Sequence, residues 1–230
     1  MKKIGIIILS MLLIFGCGNG GVPKDDKNAG EEKITVKFIF PEGLPALSVL
    51  GMYSENKQFE DNVNIKYEKA ATAETLTGSL LTEDDNIIAI VPSSLAAQLY
   101  NKNMGYKILG TVSWGSLYLV SSENISGLED LKNKKIGIIG RGQTPDIVFR
   151  NILNKNNIDA ESLDLEYFSS GTELASALAA GKIKTAVLSE PAASVLLKKN
   201  TDVKMILSLN EEWKKLYSNK YGFPQATLIA

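Results

Sequence analysis

Short apolar runs alternate with longer amphipathic stretches along almost the whole chain. Runs at 34–40, 63–67, 87–91, 107–112, 117–121, 135–139, 163–168, 185–188 and 203–208 have the length and β-branched content of strands. Stretches at 45–54, 73–81, 94–100, 145–154, 172–180 and 191–198 repeat their apolar positions at helical spacing, and a last strand is predicted over 226–230. Strand–helix alternation of this kind predicts an α/β fold with mainly parallel sheets. Start signals agree, because Ser126 with Glu129 and Ser170 with Glu173 have capping-box spacing. Gly181 is placed to end the helix before it.

The turns after the strands repeat. Ile34–Phe40 runs into Pro41-Glu-Gly-Leu-Pro-Ala46, and Lys135–Ile139 runs into Gly140-Arg-Gly-Gln-Thr-Pro145. Ile87–Val91 runs into Pro92-Ser-Ser94, and Thr185–Leu188 runs into Ser189-Glu-Pro191. Residues 34–100 and 135–198 therefore carry two turn types in one order, which predicts two similar α/β lobes. Ligands of open α/β sheets bind beyond the carboxyl ends of the strands, where helix N-termini offer unpaired N–H groups. The expected ligand contacts are Gly43, Leu44 and Pro45; Ser93 and Ser94; Arg141, Gly142, Gln143 and Thr144; Glu190; and Trp114 near the first crossing between lobes. A carboxylate at Glu190 favours a ligand bearing an amine or ring N–H. For Thr144 a plain N-cap, and for Trp114 and Tyr118 core packing, are the competing readings.

The stretch Gly137–Thr144 matches a phosphate-loop pattern except that Gln143 stands where lysine belongs. Gly140 and Gly142 begin a dinucleotide pattern that Pro145 breaks. The N-terminus argues against nucleotide too. Met1-Lys2-Lys3 precedes an apolar run over 4–15, too short to span a bilayer and suited to a signal peptide. Gly16 directly precedes Cys17, the only cysteine, as in a bacterial lipobox, and an ordinary signal peptide with a stray cysteine is the alternative. Acylation of Cys17 would anchor the protein on a membrane. The expected layout is a signal peptide over 1–16, a flexible tether over 17–32, a first lobe over 33–112, a second over 113–208 and a return to the first over 209–230. Processing removes Lys2 and Lys3, which takes the formal charge from −1 to −3 and gives nucleic acid no basic stripe. The chain has no histidine, which removes the usual general base and the commonest metal ligand, so no metal and no cofactor are expected.

Leu128-Glu-Asp-Leu-Lys-Asn-Lys-Lys-Ile-Gly-Ile139 with Gly140–Pro145 resembles a signature of bacterial ABC-transporter substrate-binding lipoproteins of the nitrate/sulfonate/taurine type, related to thiamine-pyrimidine binders. Thr172–Lys182, Ala186–Pro191 and Tyr221-Gly-Phe-Pro-Gln225 are similar in order and spacing. The resemblance implies a type II periplasmic-binding fold of two lobes and a cleft that closes on a small-molecule ligand. It also implies a lipid-anchored, exported monomer facing the periplasm or exterior, and delivery to a permease with a cytoplasmic ATPase. The family pattern continues past Pro224-Gln225, so the C-terminal part of the first lobe is expected to be missing. Sulfonates, nitrate, aromatic carboxylates and thiamine-like pyrimidines remain open, with a tilt toward a ring-bearing ligand. The alternatives are a sensory or adhesive surface lipoprotein and an enzyme on the same fold.

Overall fold

The computed structural model describes residues 33–82 and 86–230. The expected signal peptide, the tether and Cys17 lie outside the described residues.

The first half runs β1 (Ile34–Pro41), α1 (Leu44–Leu47), α2 (Leu50–Ser54), β2 (Val63–Ala70), α3 (Ala73–Leu80), β3 (Ile87–Pro92), α4 (Ser93–Asn101) and β4 (Ile108–Trp114). The second runs β5 (Leu117–Ser121), β6 (Lys135–Ile139), α5 (Thr144–Lys155), β7 (Asp164–Phe168), α6 (Gly171–Ala179), β8 (Thr185–Ser189), α7 (Ala192–Lys199) and β9 (Lys204–Ser208). α8 (Leu209–Tyr217) and β10 (Pro224–Ile229) complete the chain.

Two five-stranded sheets form, in the orders β2-β1-β3-β10-β4 and β7-β6-β8-β5-β9. The orders correspond place for place, as the repeated turns predict. In each sheet three strands are parallel, and the fourth, β10 or β5, is antiparallel to both its neighbours. Those two strands are the ones that arrive from the other sheet.

Each sheet is buried by the period-two alternation of its strands. In β1, Ile39 faces Leu76, Leu80, Leu95 and Leu99 of α3 and α4, while Phe38 and Phe40 pack with Val49 on the other face. In β5, Leu119 joins Ile136, Ile138 and Phe149 beneath α5, while Val120 joins Leu174, Leu188 and Leu196 beneath α6 and α7. Gly137 lets α6 close on this sheet, since a Cβ there would lie 2.4 Å from Leu174 Cδ1.

Several expectations are corrected. The helix expected over 45–54 is two short ones, because the Ser48 hydroxyl takes the Pro45 carbonyl (2.6 Å) that Val49 N–H would otherwise use, and Val49 turns into the core. Ser126 does not make a capping box: its N–H donates to Asp130 Oδ2 (2.7 Å), and Gly127 precedes a single 3₁₀ turn, Leu128–Leu131. α8 was not predicted at all. It buries Leu209, with Trp213 and Leu216 against the same core, and packs on α5, β5 and β9. The segment expected to return to the first lobe from residue 209 therefore covers the second sheet first, and only β10 joins the first.

The chain passes between the sheets at Gly115–Ser116 and again before β10. The two passages are tied together. Gly115 N–H donates to the Phe223 carbonyl (3.0 Å), and Gln225 Oε1 accepts from both Ser116 N–H (2.7 Å) and Ser116 Oγ (3.0 Å). Asn210 fills the space between them, accepting from Phe223 N–H at 3.3 Å. A Cβ on Gly115 would meet Asn210 Oδ1 at 1.8 Å, and one on Gly222 at 1.7 Å. Gly115→Ala is therefore expected to lower the unfolding free energy by about 2–3 kcal/mol through overpacking. Combined with Asn210→Gly it should cost much less than the two single changes added, a coupling that denaturant melts of all four variants would read.

Candidate functional site

The carboxyl ends of the parallel strands in both sheets meet at one place. A cavity of about 140 Å³ lies there, lined by Pro41, Ala70 and Pro92 at the ends of β1, β2 and β3, by Ile139 and Ser189 at the ends of β6 and β8, and by Ser169 just after β7. Thr72, Gln143, Thr144, Ser170, Gly171 and Gln225 add its polar groups. A larger space of about 890 Å³ adjoins it and shares Glu42, Ile139, Gly171 and Ser189. Ala175, Ala192, Val195 and Leu196 give that space an apolar wall, with Lys69, Glu190 and Lys199 at its polar side. The smaller cavity matches the size that holds a benzene-like group, and the larger lies in the range of ordinary ligand pockets.

Helices α3, α5 and α6 begin at the smaller cavity because each is preceded by a turn that releases the chain from a strand end. Thr72 caps α3 by accepting from Thr75 N–H (3.2 Å), and Ser170 caps α6 by accepting from Glu173 N–H (3.2 Å). The Glu173 carboxylate accepts in return from Ser169 rather than Ser170, and those hydrogen bonds hold its pKa below the usual carboxylate value. The first-turn amides of Ala73 and Gly171 have no acceptor within their helices. Thr72 and Ser170 were not among the expected contacts. The capping signal at Ser170 marks a helix start in the sequence, and nothing there marks it as a cavity wall.

The stretch that mimics a phosphate loop spends its amides internally. Gly140 and Gly142 have φ of +66° and +69°, and Gln143 N–H closes the turn on the Gly140 carbonyl (2.7 Å). Gly142 N–H donates to Asp146 Oδ2 (2.8 Å), so a buried carboxylate sits where a phosphate loop would present its donors. Asp146 Oδ1 also accepts from Arg150 Nε (2.8 Å) and from the Tyr167 hydroxyl (2.7 Å). Arg150 in turn donates to Tyr167 (3.0 Å) and pairs with Glu161. The Tyr167 contact, against the opposing effect of burial and reinforced by Asp146, raises the guanidinium pKa further. Burial raises that of Tyr167.

Of the expected contacts, Pro45, Gln143 and Thr144 line the smaller cavity, and Gly43 and Glu190 line the larger. The others are engaged elsewhere. Arg141 lies over the Tyr167 ring, 4.3 Å from its centre, and Gly142 serves Asp146. Trp114 is half-exposed and packs on Tyr221, their ring centres 5.8 Å apart. Tyr118 packs in the core beside α7, and burial, then the charges of Glu190 and Glu211, raise its pKa. Ser93 bonds Thr227 across to β10 (2.8 Å). Thr144 is not the cap of α5, a place that Gln143 takes; instead its hydroxyl accepts from Ser94 N–H (3.2 Å), and Ser94 Oγ reaches Gln143 Oε1 (3.4 Å). Leu44 N–H donates to the Glu190 carbonyl (3.1 Å). The Glu190 carboxylate caps α7 through Ser194 N–H (3.2 Å) and Ser194 Oγ (2.8 Å). Glu42 pairs with Lys69 (2.9 Å) in the lining of the larger space and raises the Lys69 pKa. Among the described residues no group of three His, Cys, Asp or Glu could hold a metal ion, and no helix is long and apolar enough to cross a membrane.

The family model described as NMT1/THI5 like matches residues 108–227, a little over half of the chain. Among solved structures, an ABC transporter from Parabacteroides distasonis is 28% identical over 86% of this chain and 65% of its own, with a TM-score of 0.64. The periplasmic aliphatic sulphonate binding protein SsuA from Escherichia coli is 10% identical over 86% of this chain and 65% of its own, with a TM-score of 0.65. The periplasmic nitrate-binding protein NrtA from Synechocystis PCC 6803 is 14% identical over 86% of this chain and 55% of its own, also with a TM-score of 0.65. The last two establish the fold: mixed α/β with two sheets, as in type II periplasmic binding proteins. The chain thus spans about two thirds or less of these proteins' length. No curated protein matches its sequence.

The Asp146 network fixes the loop that carries Gln143 and Thr144. Asp146→Ala is expected to cost on the order of 2–4 kcal/mol, because it removes a buried carboxylate that serves Gly142 N–H, Tyr167 and the half-buried Arg150. Chemical denaturation measures the loss. Glu161→Ala, which removes the exposed partner of Arg150, should cost under about 1 kcal/mol in the same melts.

Proposed function

The chain belongs to the NMT1/THI5-like family, and from that premise we propose that it is an extracytoplasmic solute-binding protein. It captures a small anionic or ring-bearing organic solute between its two sheets and delivers it to an ABC importer with a cytoplasmic ATPase. The observation that carries this reading is the meeting of both sheets' carboxyl ends, with three helix N-termini, on one cavity.

In this reading the first lobe comprises β1 to β4 with β10, and the second comprises β5 to β9 with α8. Gln143 and Thr144 hold the solute's polar end, supported by Pro45 and the caps Thr72 and Ser170. The larger space with Gly43 and Glu190 takes the rest of it. In this reading the protein binds and releases its solute unchanged; Glu42, which lines the smaller cavity, is paired with Lys69. The Lys2-Lys3 start, the apolar run after it and Gly16-Cys17 support export and a lipid anchor at Cys17, with the protein working as a monomer outside the membrane.

A thermal melt of the chain with a sulfonate, nitrate, an aromatic carboxylate and an aminopyrimidine, each at millimolar concentration, tests the reading. Ligand at 100 times its dissociation constant adds about 2.7 kcal/mol of stability, a rise of several degrees. A rise confined to one class names the solute class. Consumption of that ligand during incubation, or no rise with any of the four, goes against the reading.

A further inference from the structure

Gln225 stands at the start of β10, where the chain re-enters the first sheet, and lines the smaller cavity. It is 8% exposed. Its amide orientation is fixed chemically: Ser116 N–H can only donate, so the atom 2.7 Å from it is the carbonyl oxygen Oε1. Ser116 Oγ adds a second bond to that oxygen at 3.0 Å. Both donors of Ser116 are thereby spent on one end of Gln225. The other end, Nε2 with its two hydrogens, has no hydrogen-bond partner among the described residues. Nε2 is not itself sealed off, since Ser113 Oγ is the buried side-chain polar atom left without a partner among the described residues, so Nε2 opens on the cavity and is free to donate to a ligand acceptor.

The rest of the smaller cavity points the same way. Ala73 and Gly171, whose first-turn amides have no acceptor within their helices, line it, and among the described residues its only charged group is the paired Glu42. These amides add donor capacity beside Gln225.

We propose that Gln225 reads the ligand: Nε2 donates to a carbonyl or oxyanion oxygen in the smaller cavity while Oε1 holds the Ser116 passage, so that the two passages register the cavity's occupancy. The inference rests on the binding reading above and gives it a recognition rule. The end of the solute that enters the smaller cavity carries an acceptor where it meets Gln225. It also assigns specificity to a residue that belongs to neither of the repeated turns.

Gln225→Glu separates the two roles. A carboxylate oxygen can still accept from Ser116, but the cavity-facing donor becomes an acceptor with negative charge. Gln225→Met removes both roles at similar length. Binding of methanesulfonate, nitrate and benzoate to the 230-residue chain and both variants would be measured by calorimetry, with melts as the folding control. Tryptophan emission follows the passages, since Trp114 precedes the first and Trp213 packs on Phe223 of the second. The wild type is expected to bind at least one probe with a change in emission. Gln225→Glu should keep the ligand-free emission and melt within a few degrees while losing at least ~30-fold in affinity, as expected for losing a buried, charge-assisted hydrogen bond. Gln225→Met should lose both the affinity and the emission change. A wild-type experiment stands beside these. The chain has four glutamines, so with selective ¹⁵N labelling the side-chain amide of Gln225 can be followed directly, and it should shift on saturation with the bound probe. Undiminished affinity in a folded variant, or a Gln225 amide unmoved by a bound probe, overturns the inference and leaves the binding reading intact. A wild type that binds none of the probes overturns both.

Discussion

The double passage of the chain between its sheets is the constraint on which the rest depends. One bond from Gly115 N–H to the Phe223 carbonyl and two from Ser116 to Gln225 Oε1 hold the passages side by side, with Asn210 filling the gap that two glycines leave open. Each bond is worth about 1 kcal/mol net, but breaking one in a buried place leaves a donor without water and costs more. That asymmetry makes the crossing a fixed point. From it, β5 and β10 enter their sheets antiparallel to their neighbours, and the parallel strands of both sheets come to end at the same cavity.

Following each backbone amide near the cavity shows what the site can do. Gly142 N–H goes to Asp146, Gln143 N–H to Gly140, Ser94 N–H to Thr144 and Leu44 N–H to Glu190. Thr75 and Glu173 give theirs to the caps Thr72 and Ser170. The two glycine-rich or proline-rich turns that look most like ligand loops in the sequence have thus committed their donors to holding themselves and each other in place. Capacity for a ligand passes to the first-turn amides of α3 and α6 and to side chains such as Gln225. The backbones of those loops give shape, and the less conspicuous turns give the backbone donors.

Much of the fold was legible because strand and helix periodicity survive wherever a segment buries one face. The strands 117–121 and 135–139 fall where the apolar pattern puts them, and the repeated turns anticipate the matching strand orders. α8 escaped because Ser208 both ends β9 and caps the helix, accepting from Glu211 N–H at 3.4 Å, so a single residue carried two signals. Its apolar positions, Leu209, Trp213 and Leu216, have helical spacing, but the charged residues between them masked it. The site was less legible than the fold. A turn sequence shows that an amide is available but not which acceptor reaches it first. Arg141 found a tyrosine ring, Trp114 found Tyr221, and Thr144 found Ser94 from the other sheet. Those partners lie between 26 and 107 residues away in the chain, beyond any local pattern.

The bonds that join the turns of one sheet to those of the other are long, from 3.1 Å at Leu44–Glu190 to 3.4 Å at Ser94–Gln143. They lie near or past the weak end of the range for such bonds. The tight contacts are at the crossing, where Ser116 N–H reaches Gln225 at 2.7 Å. Strength is therefore concentrated at the pivot and slight at the rim. In that distribution the rim bonds, about 1 kcal/mol each at most, set only a small bias between nearer and more separated arrangements of the two sheets. A solute that bonds to donors on both sides adds to that bias directly, and the shift it produces is limited by its own differential contacts. A stronger rim would bring the sheets together without a solute and forfeit that response.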